Sequence, residues 1–354
     1  MADLKVPTTE GPHYNAAVEP ASPIAGRKSS APATWMLSAA LVLVAALAAW
    51  GWFRPNPAPP SRTATSPERT LVWVDRQGTE AATGAPIHQY NLPRLSPDGG
   101  RVIVEVQTSG DIWVYDLTRS ILSPTGNAGL SPVWTPDGEQ MVYVTGLAGP
   151  SALLAVVPVD RSGPPVILAE GRNTMLPSAV SPDGTHVIGA TRQIGDGESV
   201  VLLPMEAGSG KPQLLYPTRF LKTNPIFSPD GRWIAYTSSD SGRSDVFVSA
   251  YPGPGATVQV SSEGGTMPRW RRDGAELFYR NGGKMMAVKV ETRPTFSASR
   301  PELLFEATYG NGYDVAPDGK RFLMVKNLAV ANAGDPNQLN VVLNGREDLK
   351  ARVP

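Results

Sequence analysis

From Thr70 onward, short runs of apolar residues alternate with polar ones and are broken by turn residues. In residues 111–117, DIWVYDL, Ile112 and Val114 alternate with Trp113 and Tyr115, the two-residue period of a β-strand. Both faces of such strands are apolar, as expected of a sheet packed between two others. Paired strands are predicted at 101–106 and 111–117, 140–145 and 153–159, 186–191 and 199–205, 233–238 and 245–251, 276–280 and 284–290, and 321–326 and 339–343. A short inner strand such as 92–95 precedes each pair. Outer strands follow near Ile121 and at 165–169, 213–216, 257–261 and 303–307.

One phrase opens every copy: an apolar residue, Ser-Pro or a variant, then Asp-Gly. Its Asp-Gly pairs are Asp98-Gly99, Asp137-Gly138, Asp183-Gly184, Asp230-Gly231, Asp273-Gly274 and Asp318-Gly319, and the aspartates follow one another at 39, 46, 47, 43 and 45 residues. Pro presets φ in a tight turn, Asp accepts from a nearby backbone N–H, and Gly takes the positive φ that closes the hairpin. These residues are therefore read as structural. A ring of calcium ligands would need several oxygens at one point, whereas each Asp belongs to a different repeat. A period near forty carried by such turns predicts an all-β, six-bladed β-propeller. The strand 70–75 precedes the first copy and is expected to complete the last blade, leaving no open edge. The alternative is seven blades, with the N-terminal strands forming most of an extra one.

The segment from Trp35 to Phe53 breaks the pattern: 19 residues without a charge. At ~1.5 Å per residue a helix there spans ~28 Å, close to the hydrocarbon thickness of a bilayer. Trp35 stands at one end and Trp50 and Trp52 at the other, where amphipathic rings favour the interface. The expectation is one transmembrane helix ahead of the propeller, in an inner membrane, with the N-terminus cytoplasmic and the propeller periplasmic or extracytoplasmic. The competing reading is a cleaved signal peptide ending near Ala46-Leu47-Ala48, which the length of the apolar run disfavours. Around this segment the chain divides into a polar tail (1–34), a Pro-rich spacer (54–69) and the propeller (70–354).

Composition narrows the chemistry. The 32 basic and 32 acidic residues cancel, leaving no electrostatic footprint for nucleic acid. The absence of Cys removes disulfides, thiolate metal sites and a Cys nucleophile. The three histidines, His13, His88 and His186, have no metal-ligand spacing, and there is no Gly-x-Ser-x-Gly elbow. Gly208-Ser209-Gly210-Lys211 lacks the first glycine of a phosphate loop, and Pro212 occupies its Ser/Thr position. No catalytic, metal or cofactor site is expected, which leaves surface recognition. The loops joining outer to inner strands and second to third strands gather on one face around the channel. The candidate binding residues there are Tyr90, Asn91, Asn173, Arg219, Lys222, Asn224, Arg243, Tyr309 and Tyr313.

The apolar-Ser-Pro-Asp-Gly turn followed by an alternating strand and DIWVYDL resembles the TolB-like propeller repeat. Residues 71–78, LVWVDRQG, with 341–344, VVLN, and 349–354, LKARVP, are similar to the extracytoplasmic propeller of bacterial membrane-anchored serine/threonine kinases. The resemblance implies a sensor or docking module. It does not carry kinase activity over, because the Gly-rich loop, the His-Arg-Asp loop and Asp-Phe-Gly have no counterpart in this sequence. The fifth repeat departs from the pattern, with Arg271-Arg272 in place of Ser-Pro. The expected function is a membrane-anchored, non-catalytic propeller that binds a protein or peptide. Two alternatives stand beside it: the separated or remnant sensor half of a receptor kinase, and a propeller hydrolase or lyase with an unrecognised channel site.

Overall fold

The computed structural model describes residues 68–146, 151–171, 175–193, 197–208, 212–216, 220–253 and 255–328. The expected span 35–53, the tail and spacer before residue 68, and the strand expected at 339–343 lie outside them. Among the described residues no helix is long and apolar enough to cross a membrane.

Six antiparallel sheets stand around one axis. Blade 1 comprises Tyr90–Leu95, Arg101–Val106, Asp111–Asp116 and Ile121–Ala128, in order from the channel outward. Blades 2, 3 and 4 begin with the inner strands Leu130–Trp134, Leu176–Val180 and Lys222–Phe227 and keep the same meander. Blade 5 begins at Thr266–Trp270 and adds a short strand, Ser297–Ala298, to the end of its third strand, Lys284–Glu291.

The sixth blade is assembled from both ends of the propeller. Its inner strands are Tyr313–Val315 and Arg321–Asn327, and Arg69–Asp75 pairs along Arg321–Asn327 from Arg69↔Asn327 to Asp75↔Arg321. Glu80–Ala82 is the outermost strand. This corrects the expected order, in which 339–343 took third place: that place belongs to the N-terminal strand. The reason is burial on both faces. Val72 and Val74 pack toward blade 5 with Phe278 and Phe322, while Leu71 packs toward blade 1 with Tyr90 and Val104. Glu80–Ala82 is exposed throughout, as an outer edge can be. With both N-terminal strands used here, the described residues leave no strand for a seventh blade.

The core lies between blades and follows from the strand period. In the second strand of blade 5, Leu277 and Tyr279 face blade 4 while Phe278, between them, faces blade 6. Each such aromatic contributes about 1.5–3 kcal/mol by leaving water, and Phe278 meets Phe322 edge to face at 5.1 Å.

The turns are built as their chemistry predicts. In all six the glycine has positive φ, from 66° at Gly319 to 76° at Gly99, and its N–H returns to the carbonyl three residues back. The aspartate accepts from the N–H two residues on, as in Asp137 with Glu139 at 2.9 Å. In four turns it also accepts from the Ser or Thr hydroxyl two residues earlier, that of Ser96, Thr135, Ser181 or Ser228. The same hydroxyl oxygen takes the N–H that opens the next strand, as in Trp233 to Ser228 at 3.0 Å. The prolines also pack between blades, with Pro97 close to Gly138 and Pro317 close to Gly99.

Candidate functional site in the channel

Each inner strand is hydrogen-bonded on one side only, because its other edge faces the channel. Proline is tolerated there, since the missing N–H has no partner to lose. Pro93, Pro132, Pro225 and Pro268 each follow a residue with positive φ, namely Leu92 (45°), Ser131 (53°), Asn224 (52°) and Met267 (55°), at a break in strand register. This bulge re-aims the strand, and the residues after it line the channel. They are Arg94, Val133, Ile226 and Arg269; Ala179, after a break in register in blade 3, and Asp314, on the unbroken inner strand of blade 6, complete the ring.

The channel has two compartments. One, of about 320 Å³, lies toward the Pro-Asp-Gly turns and is walled by those six residues and by turn prolines such as Pro97 and Pro229. The other, of about 290 Å³, lies toward the opposite face, where the inner strands begin, and is lined by Leu92, Leu176, Asn224 and Met267 among others. Arg94, Val133 and Ser178 belong to both and so mark the waist.

Charge collects on one side of this waist. Nη1 of Arg94 donates to its neighbour's carbonyl, Pro93 O, at 3.2 Å and to Tyr313 O at 3.4 Å, and its Nε is buried without a partner. Arg269, whose side chain is 9% exposed, donates to Pro268 O at 2.8 Å, and its Nε likewise has no hydrogen-bond partner. Burial, with Arg269 close by, pulls the Arg94 guanidinium down to about 9. Asp314 is 3.8 Å from Arg269 Nε, but its oxygens already accept the N–H groups of Leu95 (2.8 Å) and Val315 (2.9 Å). Glu105 is buried nearby. Its carboxylate takes the side-chain amide of Asn91 and the N–H of Ser131, tying blade 1 to blade 2. Burial pushes it up against those hydrogen bonds and the Arg94 charge. No group of three or more His, Asp or Glu side chains suited to a metal converges among the described residues.

The sequence-predicted binding residues fare differently. Asn224 reaches the channel mouth, part-buried, and Arg243 is exposed at the same face, its Nε 3.1 Å from Asp245. Asn173 and Arg219 lie outside the described residues. The others are buried, which corrects their reading as loop contacts. Tyr90 and Tyr313 are fully buried between blades, and Tyr313 donates to Met267 O at 2.9 Å. Tyr309 is buried and donates to Glu80 at 2.9 Å. Lys222 is buried against Asp240 at 2.9 Å and over the ring of Tyr236. Asn91 is buried against Glu105. Polar ends explain most of the corrections: Tyr309, Tyr313 and Lys222 bury their bodies while their tips find a partner, whereas the Tyr90 hydroxyl is buried without one. Arg94, Arg269, Asp314 and Glu105 were not among the predicted site residues.

The TolB beta propeller domain family matches residues 121–350 of the chain. No curated protein sequence matches it. Among solved structures, a TolB-type protein of Agrobacterium tumefaciens superposes with a TM-score of 0.59 at 17% identity, covering 75% of this chain and 100% of that one. TolB from Acinetobacter baumannii gives 0.50 at 13% identity, covering 73% of this chain and 65% of its own. An oligogalacturonate lyase from Vibrio parahaemolyticus gives 0.47 at 13% identity, covering 66% and 76%. Likeness at such identities concerns the fold.

Proposed function

Because this chain belongs to the TolB β-propeller domain family, we propose that it is a non-catalytic module that binds a protein partner at the bacterial cell envelope. In this reading the apolar segment 35–53 holds it in the inner membrane, with the N-terminus cytoplasmic and the propeller on the far side. Its resemblance to kinase-linked propellers favours a sensing role. The observation that carries partner binding is apolar exposure around one channel mouth. Leu130 (38% exposed), Leu176 (45%) and Leu221 (50%) stand at the starts of three successive inner strands, in blades 2, 3 and 4. Scattered exposed leucines are ordinary, but three on adjacent blades at one mouth form a surface suited to docking.

The test uses the full chain, immobilised from detergent, to capture proteins from a bacterial envelope extract, beside a variant with Leu130→Asp, Leu176→Asp and Leu221→Asp. A protein retained by the native chain and lost by the variant supports the reading. Retention by both, or by neither, removes the face from consideration. Protease added to spheroplasts should cleave the propeller, and protection there would reverse the topology.

A further inference from the structure

The channel waist holds two buried guanidinium groups whose hydrogen-bonding capacity its own carboxylates do not fill. Two guanidinium groups, Arg94 and Arg269, line the same compartment, and each keeps a buried Nε without a hydrogen-bond partner. Between them stands one carboxylate, Asp314, already engaged by two backbone N–H groups and too far from Arg269 Nε for a hydrogen bond. Glu105 makes no ion pair with Arg94 and is committed to Asn91 and Ser131. Desolvated like charges with unused donors are costly, so such a pair is best accounted for by an anion that completes it.

We propose that the channel binds a small carboxylate, its oxygens held between Arg94 and Arg269 and its apolar body lying along Val133, Ala179 and Ile226. Three features select this chemistry. A guanidinium fork matches the two oxygens of a carboxylate. Asp314 and Glu105 already stand close to the two guanidinium groups, so the site suits no more than a single negative charge; a phosphate dianion would set a second one against those carboxylates. The charged residues belong to blades 5, 6 and 1 and the apolar ones to blades 2, 3 and 4, so the channel is divided lengthwise into a polar and an apolar half. A compartment of about 320 Å³ lies at the lower end of the range for ligand pockets, which limits the occupant to a small molecule or the last residues of a peptide.

The experiment is isothermal titration of the full chain in detergent with butyrate, with N-acetylglycylglycine, with the C-terminal amide of that peptide, and with inorganic phosphate. Saturable binding of at least one acid, with no binding of the amide or phosphate, is expected. Binding of butyrate identifies a free carboxylate as sufficient; binding of the peptide acid alone identifies a chain terminus. Arg94→Met and Arg269→Met should each weaken binding at least tenfold, while the ligand-free variants unfold at a midpoint no lower than the native chain. Should Arg269→Met lose its fold with the Asp314 contact, Arg94→Met and the acid–amide comparison decide. The proposal is overturned if neither acid binds, if the amide or phosphate binds as well as the acids, or if Arg94→Met binds like the native chain. It stands apart from partner docking, since Leu130→Ser and Leu221→Ser, at mouth positions that line neither compartment, should leave carboxylate binding unchanged.

Discussion

Replacing Asp183 by Ala tests whether the repeated turn aspartates are structural. Its Oδ1 accepts from Ser181 Oγ at 2.5 Å, from the N–H of Thr185 at 3.0 Å and from Thr185 Oγ1 at 2.8 Å. These bonds, the Ser181 hydroxyl foremost, hold the carboxyl at about 2, below its ordinary 3.8. Converted at 1.36 kcal/mol per unit, that displacement corresponds to ~2.5 kcal/mol. The side chain is exposed, so water screens it and the expected loss falls to ~1 kcal/mol, the usual size of a lost cap.

The sign of the pH dependence is specific. The folded-state pKa lies below the unfolded one, so the contribution is full above about pH 4 and fades as pH falls through about 2, with roughly half remaining at pH 3. Urea unfolding of the full chain and of Asp183→Ala at pH 7, 5, 4 and 3 measures the gap. A gap of ~1 kcal/mol at pH 7 and 5 that narrows at pH 3 is expected, with partner capture retained. A gap unchanged at pH 3, or one that grows at high pH, refutes the assignment of the stability to the ionised carboxylate. Native stability with lost capture would make Asp183 a binding residue.

Other perturbations separate local from inter-blade effects. Gly99→Ala should cost ~2 kcal/mol in urea unfolding, because φ is 76° and the new Cβ meets Pro317 Cγ at 2.7 Å; Gly184→Ala, with φ 75° and nothing within 4 Å, should cost only ~1 kcal/mol. Lys222→Ala should lower stability by ~1 kcal/mol, since it removes a buried side chain packed over the Tyr236 ring while Asp240, exposed and still held by Ser238, turns to water, and capture measured below the unfolding transition should be unaffected. Glu276→Gln should cost ~2 kcal/mol at pH 7 by weakening the paired bonds from Arg76 at 2.8 and 2.9 Å that tie blade 6 to blade 5. Arg76 chiefly, then Arg271, holds the Glu276 carboxyl below its ordinary range despite burial, so this difference should shrink as acid protonates the native carboxylate.

The repeat was legible because each turn combines a proline, a carboxylate and a glycine whose roles are local, and local chemistry survives without knowledge of neighbours. The closing blade was half legible. Residues 70–75 and 339–343 are both short, mainly apolar runs rich in Val and Leu, and such composition alone cannot tell which of them lies beside Arg321–Asn327; burial of Leu71, Val72 and Val74 on both faces decides it. The binding residues were read by type and loop position. That selects Tyr90, Tyr313 and Lys222 as readily when they are buried as when they are exposed, because such side chains carry an apolar body and a polar tip.

The channel residues had a sequence signal of another kind. Align the copies on the turn, and the position before its apolar residue reads Arg94, Val133, Ala179, Ile226, Arg269, Asp314. Interchangeable blades would favour an apolar residue at all six, since every one faces the same narrow, partly desolvated space. The position instead keeps that preference in three consecutive blades and abandons it in the three that complete the ring. The fifth turn departs on that same side: Arg272, standing where the other copies have Pro, donates to Pro97 O of blade 1. Where the rule of a repeat is broken without a gain in stability, the gain lies elsewhere. Here the break is confined to one flank of the axis and leaves unused donors buried, which is the arrangement expected if blades 5, 6 and 1 recognise a charge and blades 2, 3 and 4 receive what it is attached to.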